Sequence, residues 1–293
     1  MTGELQEVFR SASQSACADR ALVLTAVGIQ SEIRLDGCEF LLCVDALDAT
    51  WAVAHLRQYL TENRPAPPIP PPPRRYGYAW VGAVLYALVL VGVALAISNG
   101  LWRPDAFELG ALDAGRVQSG EWWRAWTALT LHLGADHVVA NLGGGIWFGY
   151  LAARQLGSGR AWLLIVTGAA LANGLEAVLG PTTHRSVGAS TAVFTALGLM
   201  AAHSWRTRLH LRQSRARSWA PLVAGTVLLG WLGTAGEGTD IVAHAMGFMV
   251  GCLFGAAAGT GAVERILNRI PQWLAGMGAL AALAVAWGYA LSS

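Results

Sequence analysis

From about residue 76 to its end, the chain alternates long apolar runs with short polar stretches. An α-helix needs roughly 20 mostly apolar residues to cross a hydrocarbon layer about 30 Å thick. The second, fourth and fifth runs are short or begin with polar residues, which favours helices sheltered inside a bundle. The pattern predicts seven membrane-spanning helices, at residues 78–97, 135–153, 161–180, 187–203, 219–232, 241–258 and 273–291.

The N-terminal segment has a different pattern. Two stretches repeat apolar positions at helical period, and two shorter apolar runs flank Asp36-Gly37, a favoured dipeptide for a tight hairpin turn. The helical stretches are residues 12–28 and 46–62, and the strand-like runs are residues 31–35 and 38–44. We therefore expect a small α+β domain over residues 1–63.

A proline-rich stretch, residues 64–75, follows this segment. Consecutive prolines cannot form the interior of a helix or sheet, so the stretch is predicted to be an extended polyproline II linker. The remaining residues, 76–293, are predicted to form the transmembrane domain. The first 25 residues lack the apolar core of a signal peptide, so the N-terminus is expected to stay in the cytoplasm.

The charge distribution predicts an orientation. The net charge is only +2, which excludes the broad basic field that nucleic-acid binding requires. All 20 basic residues are arginines, which we interpret as a bacterial coding bias. By the positive-inside rule the N-terminus lies inside and the C-terminus outside a bacterial inner membrane. The arginines that decide this lie in alternate connections: Arg154, Arg160, Arg206, Arg208, Arg212, Arg215, Arg217, Arg265 and Arg269.

The cysteines indicate no special chemistry. Cys17, Cys38, Cys43 and Cys252 form no CxxC pair and have no histidine at ligand spacing. The sequence therefore predicts neither a disulfide framework nor a metal site, and no motif implies a cofactor.

Four polar residues lie in predicted spans where apolar residues would cost less: His137, Asn141, Ser190 and His244. In the predicted topology the second, fourth and sixth spans run in the same direction, so these residues share a similar depth near the outer face. Singly, such a serine usually bonds its own helix backbone, and such a histidine usually packs. A serine hydroxyl and an imidazole at one depth, however, are the groups that nucleophilic hydrolysis needs.

Three motifs around these residues resemble those of the rhomboid proteases over about residues 78–259. The first outer loop also contains the similar sequence Glu121-Trp122-Trp123-Arg124. The three motifs are Gly188-Ala189-Ser190-Thr191-Ala192-Val193-Phe194, Ala243-His244-Ala245-Met246-Gly247-Phe248-Met249-Val250-Gly251, and the spaced set His132, His137 and Asn141. The resemblance implies an all-α polytopic fold with a rhomboid-like six-helix bundle. The residue pattern adds a seventh C-terminal helix behind this bundle and the small α+β domain in front of it.

The resemblance also implies roles for individual residues. Ser190 would be the nucleophile and His244 its general base, without a third acidic member. His137 and Asn141, four residues apart on one helix face, would donate to the oxyanion together with the backbone N–H of Ser190. The supporting residues would be Phe194, which stacks on the catalytic imidazole, His132, which braces the first outer loop, and Gly188, Gly247, Trp123 and Arg124.

Several other residues receive expectations of a different kind. His132 precedes His137 by about 140° of helical rotation and is not expected on the same face. Asp240 is expected to cap the sixth span. Glu176 and Asn173 are expected to make interhelical bonds, while His184 and Arg185 receive no role. Thr191 stands where the family usually has glycine. A stripe of glycines at positions 247, 251, 255 and 259 favours close helix packing.

The resemblance implies an intramembrane serine endopeptidase whose partners are transmembrane protein substrates and the lipid bilayer. Two alternatives remain open. One is a catalytically inactive rhomboid-like protein that binds transmembrane clients, which the presence of both Ser190 and His244 disfavours. The other is a transporter, which the lack of internal repeats disfavours. The short fifth span and the loop at residues 234–239 are predicted to form the gate through which a substrate enters.

Overall fold

The structure, a computed structural model, describes residues 4–63, 75–211, 213–234 and 240–293. The chain divides into two compact units, Met1–Pro71 and Pro72–Ser293. Most of the predicted polyproline linker, and residues 235–239 of the predicted gate loop, lie outside the described residues.

The first unit is a three-stranded antiparallel sheet with two helices. Strand β3 lies between the other two because the hairpin sets it beside β2, with Gly37 at a φ of +61° in the turn. Side chains from both helices and from β3, including Leu24, Leu42, Val44 and Leu56, form its core. The elements are β1 (Leu5–Ser11), α1 (Gln14–Ala26), β2 (Ser31–Asp36), β3 (Glu39–Asp45) and α2 (Ala49–Glu62).

The second unit is helical apart from one two-stranded pair. Its elements up to residue 130 are α3 (Trp80–Ser98), α4 (Ala106–Gly110), β4 (Leu112–Asp113), α5 (Ala114–Gln118), α6 (Arg124–Thr127) and a 3₁₀ turn (Ala128–Thr130). They are followed by α7 (Ala135–Leu156), α8 (Ser158–Leu179), β5 (Arg185–Ser186), α9 (Ser190–His210), α10 (Arg215–Leu232), α11 (Ile241–Ala258), α12 (Gly261–Arg269) and α13 (Gln272–Ser292).

Each of the seven predicted spans lies on one helix: α3, α7, α8, α9, α10, α11 or α13. Among the described residues, four of these helices are long and apolar enough to cross a membrane: α3, α8, α11 and α13. The other three contain charged residues near an end, such as Arg154 in α7, Arg208 in α9 and Arg217 in α10. The chain is therefore a mostly helical, multi-pass membrane protein.

The loop between α3 and α7, which was predicted to be the first outer loop and is called so below, folds around a buried guanidinium. Arg124 has no exposed surface, and it donates to the carbonyl oxygens of Glu108 and Ala111, each at 2.7 Å, and to Glu121 Oε2 at 2.6 Å. Asn173 of α8 donates to the carbonyl of Ala125 at 3.0 Å. The loop is therefore fastened to α8 by the kind of bond predicted for Asn173. Trp123 of the same loop stacks on Tyr289 of α13, with the ring centroids 6.0 Å apart.

Helices α9 and α11 touch through their backbones. A methyl group on Gly247 would lie 2.6 Å from the Thr191 carbonyl oxygen, and methyl groups on Gly251 and Gly255 would clash with the carbonyl oxygens of Thr195 and Leu199. Both series advance by four residues in the same direction, so the helices run parallel and in step. The contact is reciprocal, because a methyl group on Gly198 of α9 would clash with the Phe248 carbonyl oxygen of α11. The whole predicted glycine stripe thus faces α9, with Gly259 against the side chain of Arg206 where the others lie against backbone.

Candidate active site

The parallel contact between α9 and α11 brings Ser190 and His244 to the same level. Ser190 is the first residue of α9, and the contact of Gly247 with Thr191 lies just inside that end. His244 precedes Gly247 by about one turn and is therefore beside the start of α9. Thr191 is buried, and its methyl group points toward Gly247.

The loop before Ser190 is shaped by Gly188, which has a φ of +140°. A methyl group on this residue would lie 2.9 Å from both Cε1 and Nε2 of His137 and 3.6 Å from Ser190 Oγ. The backbone conformation and the lack of space both require glycine here. The His137 imidazole and the Ser190 hydroxyl therefore lie on the same side of Gly188.

The His244 ring is held at two places. Its Nδ1 lies 2.9 Å from the carbonyl oxygen of Gly233, the residue directly after α10. Its ring also packs on Phe194, with the centroids 4.5 Å apart and the planes at 35°. Because a carbonyl oxygen can only accept, the proton of a neutral imidazole lies on Nδ1, and Nε2 keeps its lone pair.

The Gly233 carbonyl was not among the residues singled out from the sequence. In Ser-His-Asp enzymes a carboxylate holds the second ring nitrogen of the base, whereas here a backbone carbonyl has that position. Asp240 instead accepts from the Ala243 N–H at 3.0 Å and caps α11, as predicted. The one signal in the sequence was a glycine directly after an apolar run, which is typical of a helix C-terminus.

Asn141 is buried and bonded within its own helix. Its Nδ2 donates to the His137 carbonyl at 3.0 Å, and the Tyr86 hydroxyl donates to the Asn141 carbonyl at 2.9 Å. One hydrogen of the Asn141 amide group remains for another acceptor. The structure thus fixes the side chain of Asn141 one turn from His137.

The structure corrects the argument about His132. Helix α7 begins at Ala135, so the helical angle between His132 and His137 does not apply. The two rings are edge to face, 5.1 Å apart, and His132 Nε2 accepts from the Ala189 N–H at 3.3 Å. Burial, and secondarily the neighbouring His137, lowers the pKa of His132 to about 4, so the ring is neutral and can accept. His132 therefore braces the loop before Ser190, whereas the sequence had suggested the first outer loop.

Some of the predicted residues are not brought together. Within the described residues, Ser190 Oγ has no hydrogen bond to His244, and the contacts of Trp123 and Arg124 lie inside the first outer loop and along α13. A long nucleophile–base separation is common in enzymes without substrate. The candidate site therefore consists of Ser190, His244 and His137, with Gly188, Phe194, His132 and Gly233 around them and Asn141 one turn along α7 from His137.

The part of the chain that contains the candidate site is similar to known proteins. Residues 119–260 match the family model of the Rhomboid domain. Rhomboid protease GluP of Bacillus subtilis (strain 168) is 29% identical over 179 residues, which are 58% of this chain and 32% of that protein. YdcA of the same organism, assigned provisionally as a rhomboid protease, is 29% identical over 157 residues, 52% of this chain and 73% of YdcA. The chain thus aligns with about a third of GluP.

Proposed function

Because the chain belongs to the rhomboid family, we propose that it is an intramembrane serine endopeptidase, which cleaves a peptide bond in or beside transmembrane segments of other membrane proteins. The observation that carries the proposal is the placement of His244. Its ring packs on Phe194, which lies one turn after Ser190 on α9. Because its Nδ1 donates to the Gly233 carbonyl, Nε2 is the nitrogen that can act as the base. An inactive client-binding protein would not need an imidazole held in this tautomer.

In the proposed reaction Ser190 Oγ attacks the scissile carbonyl carbon while His244 Nε2 takes the hydroxyl proton. The imidazolium then gives that proton to the leaving amine, and a water molecule hydrolyses the acyl-enzyme by the same route. The Nδ1–H bond to the Gly233 carbonyl orients the ring and stabilises its positive charge. The reaction uses no cofactor.

The start of α9 and the side chain of His137 supply the oxyanion site. The Ser190 N–H is the first amide of α9, and the first amides of a helix have no partner within it. The positive end of the helix dipole favours an anion at this point. His137 lies beside Gly188 and Ser190 Oγ, and Asn141 contributes its remaining amide hydrogen.

Removing one of these donors should slow the chemical step without preventing it. We expect His137→Ala and Asn141→Ala each to lower kcat by about 100-fold, since several donors share the oxyanion. Asn99→Ala, at the exposed end of α3, is the matched control and should leave kcat unchanged. Cleavage of a fluorogenic transmembrane substrate in detergent measures all three. A wild-type kcat in Asn141→Ala would remove that residue from the site.

The membrane orientation also belongs to the proposal. Every second connection between the spans is rich in arginine. This pattern favours an inner-membrane protein with a cytoplasmic N-terminus and with Ser190 and His244 near the outer face. The segment of residues 1–63 would then be a cytoplasmic accessory domain, because it contributes no residue to the site.

A fluorophosphonate probe tests whether Ser190 is an activated nucleophile. The purified full-length chain should become labelled at Ser190, because Ser190 Oγ attacks phosphorus and displaces fluoride while His244 takes the hydroxyl proton. Ser190→Ala and heat-denatured wild type should not be labelled, and His244→Ala should react far more slowly. Equal labelling of wild type and Ser190→Ala would contradict the proposal, and a folded but unlabelled wild type would favour the inactive client-binding alternative.

A further inference from the structure

A second group of polar side chains lies outside the candidate active site. Glu176 near the end of α8, His184 just before β5, and Asp240 at the start of α11 come together from distant parts of the sequence. His184 Nε2 lies 3.2 Å from Asp240 Oδ2 and 3.5 Å from Glu176 Oε1. The three potential ligand atoms all lie within 4.8 Å of one another.

Glu176 is the unusual member of the group. Its side chain is only 3% exposed, and neither carboxylate oxygen has a hydrogen-bond partner in the part of the chain that the structure describes. Within the same residues, His184 Nε2 and Asp240 Oδ2 also lack partners. A buried carboxylate without hydrogen bonds is costly, and a second carboxylate beside it adds repulsion. The group therefore requires a positive occupant.

The neighbouring arginine does not provide that charge. Arg185 follows His184 directly, but its guanidinium pairs with Glu108 at 2.7 Å and with Asp113 at 3.3 Å. Both partners belong to the first outer loop, so the charge of Arg185 is already paired there. The remaining occupants are a proton, held on one of the carboxyl groups or on His184, and a metal cation held by all three side chains.

The distances favour a metal cation. Zinc–nitrogen and zinc–oxygen bonds of about 2.0–2.2 Å in a tetrahedron place neighbouring ligands about 3.3 Å apart. The separations of His184 Nε2 from the two carboxylate oxygens, 3.2 and 3.5 Å, lie close to that value. These atoms are close without the alignment of hydrogen bonds, as expected for ligands whose lone pairs converge on one point. One imidazole and two carboxylates are ligands that Zn²⁺ and similar divalent cations accept.

We propose that Glu176, His184 and Asp240 form a divalent cation site, with a water molecule in the fourth position. The ion would join the end of α8, the loop before β5 and the start of α11. Asp240 would serve two purposes, because its Oδ1 caps α11 through the Ala243 N–H while its Oδ2 binds the ion. His244 follows one turn later, so the cation would stabilise the end of the helix that carries it.

The test measures metal binding and does not depend on proteolysis. The full-length chain, purified in detergent and stripped with a chelator, is dialysed against micromolar Zn²⁺, and bound zinc per chain is counted by elemental analysis. We expect one zinc per chain in the wild type and in the control His210→Ala, which removes an exposed histidine of α9. His184→Ala and the isosteric Glu176→Gln should each weaken zinc binding at least about 100-fold, as expected when a direct ligand is lost.

Cobalt gives an independent reading. Co²⁺ bound in a tetrahedral nitrogen and oxygen site should give visible absorption bands in wild type and His210→Ala, and the bands should disappear in Glu176→Gln. Tryptophan fluorescence and a single elution peak establish that each variant is folded. Absence of zinc from the folded wild type would overturn the proposal and favour a proton as the occupant. Unchanged zinc stoichiometry in His184→Ala would also overturn it, because the ion would then lie elsewhere.

Discussion

Ser190→Ala is expected to reduce cleavage of a transmembrane substrate by at least about 10⁴-fold, because no other group can form the acyl-enzyme. His244→Ala should cause a comparable loss, since the hydroxyl is a weak nucleophile without its base. The two losses should not add in the double variant, because nucleophile and base act as a unit. Initial rates in detergent and in liposomes provide the measurement.

The matched control for this prediction is Ser204→Ala. Ser204 lies on the same helix as Ser190 but accepts a hydrogen bond from Gln155 at 3.0 Å, far along α9 from the candidate site. Its loss should leave the rate within about twofold of wild type, as for most substitutions away from a functional site. Residual cleavage by Ser190→Ala, after contaminating proteases have been excluded, would contradict the assignment of the nucleophile.

Gly251→Ala should destabilise the protein by about 2 kcal/mol, because one added methyl group would clash with the Thr195 carbonyl and force α9 and α11 apart. Activity should fall by about 100-fold as well, since a shift of about 1 Å between catalytic groups has this effect. Unfolding in mixed micelles measures the stability, and substrate cleavage measures the rate.

Gly230→Ala on α10 is the control for this second prediction. A methyl group there meets no atom within 4 Å, so the same substitution should stabilise the helix by up to about 1 kcal/mol through its higher helix propensity. The two substitutions are chemically identical and should have opposite signs. If Gly251→Ala were also neutral or stabilising, the close backbone contact would not be present in the folded protein.

The helices could be predicted because they depend on local pattern, and the shared level of Ser190 and His244 followed from the direction in which the predicted spans run. Apolar runs located the ends of seven helices to within about four residues, except that α9 continues to His210, seven residues beyond its predicted end. The glycine stripe of α11 lies at its contact with α9 as expected. The hairpin of the first unit likewise followed from Asp36-Gly37.

The features that were missed depend on partners far apart in sequence or on backbone atoms. Strand β1 pairs with β3, although α1 and β2 lie between them in the sequence, so no tight turn indicates the pairing. The acceptor that orients His244 is the Gly233 carbonyl, which any residue type could supply. His132 was misplaced because the start of α7 was not known to a single residue. The group around Glu176 joins three segments, and no spacing rule connects them.

The in-step contact between α9 and α11 has a mechanical consequence. Sliding one helix past the other by part of a turn would move the glycines of α11 away from the carbonyl oxygens of α9 that they accommodate, so the pair can tilt as a unit but resists shear. Bilayers of different thickness change helix tilt at a cost of fractions of a kcal/mol per Å. Such forces act on the two helices as on one rigid rod. We therefore expect the distance between Ser190 and His244 to be independent of lipid composition. A passage for a transmembrane segment has to open along some other helix boundary.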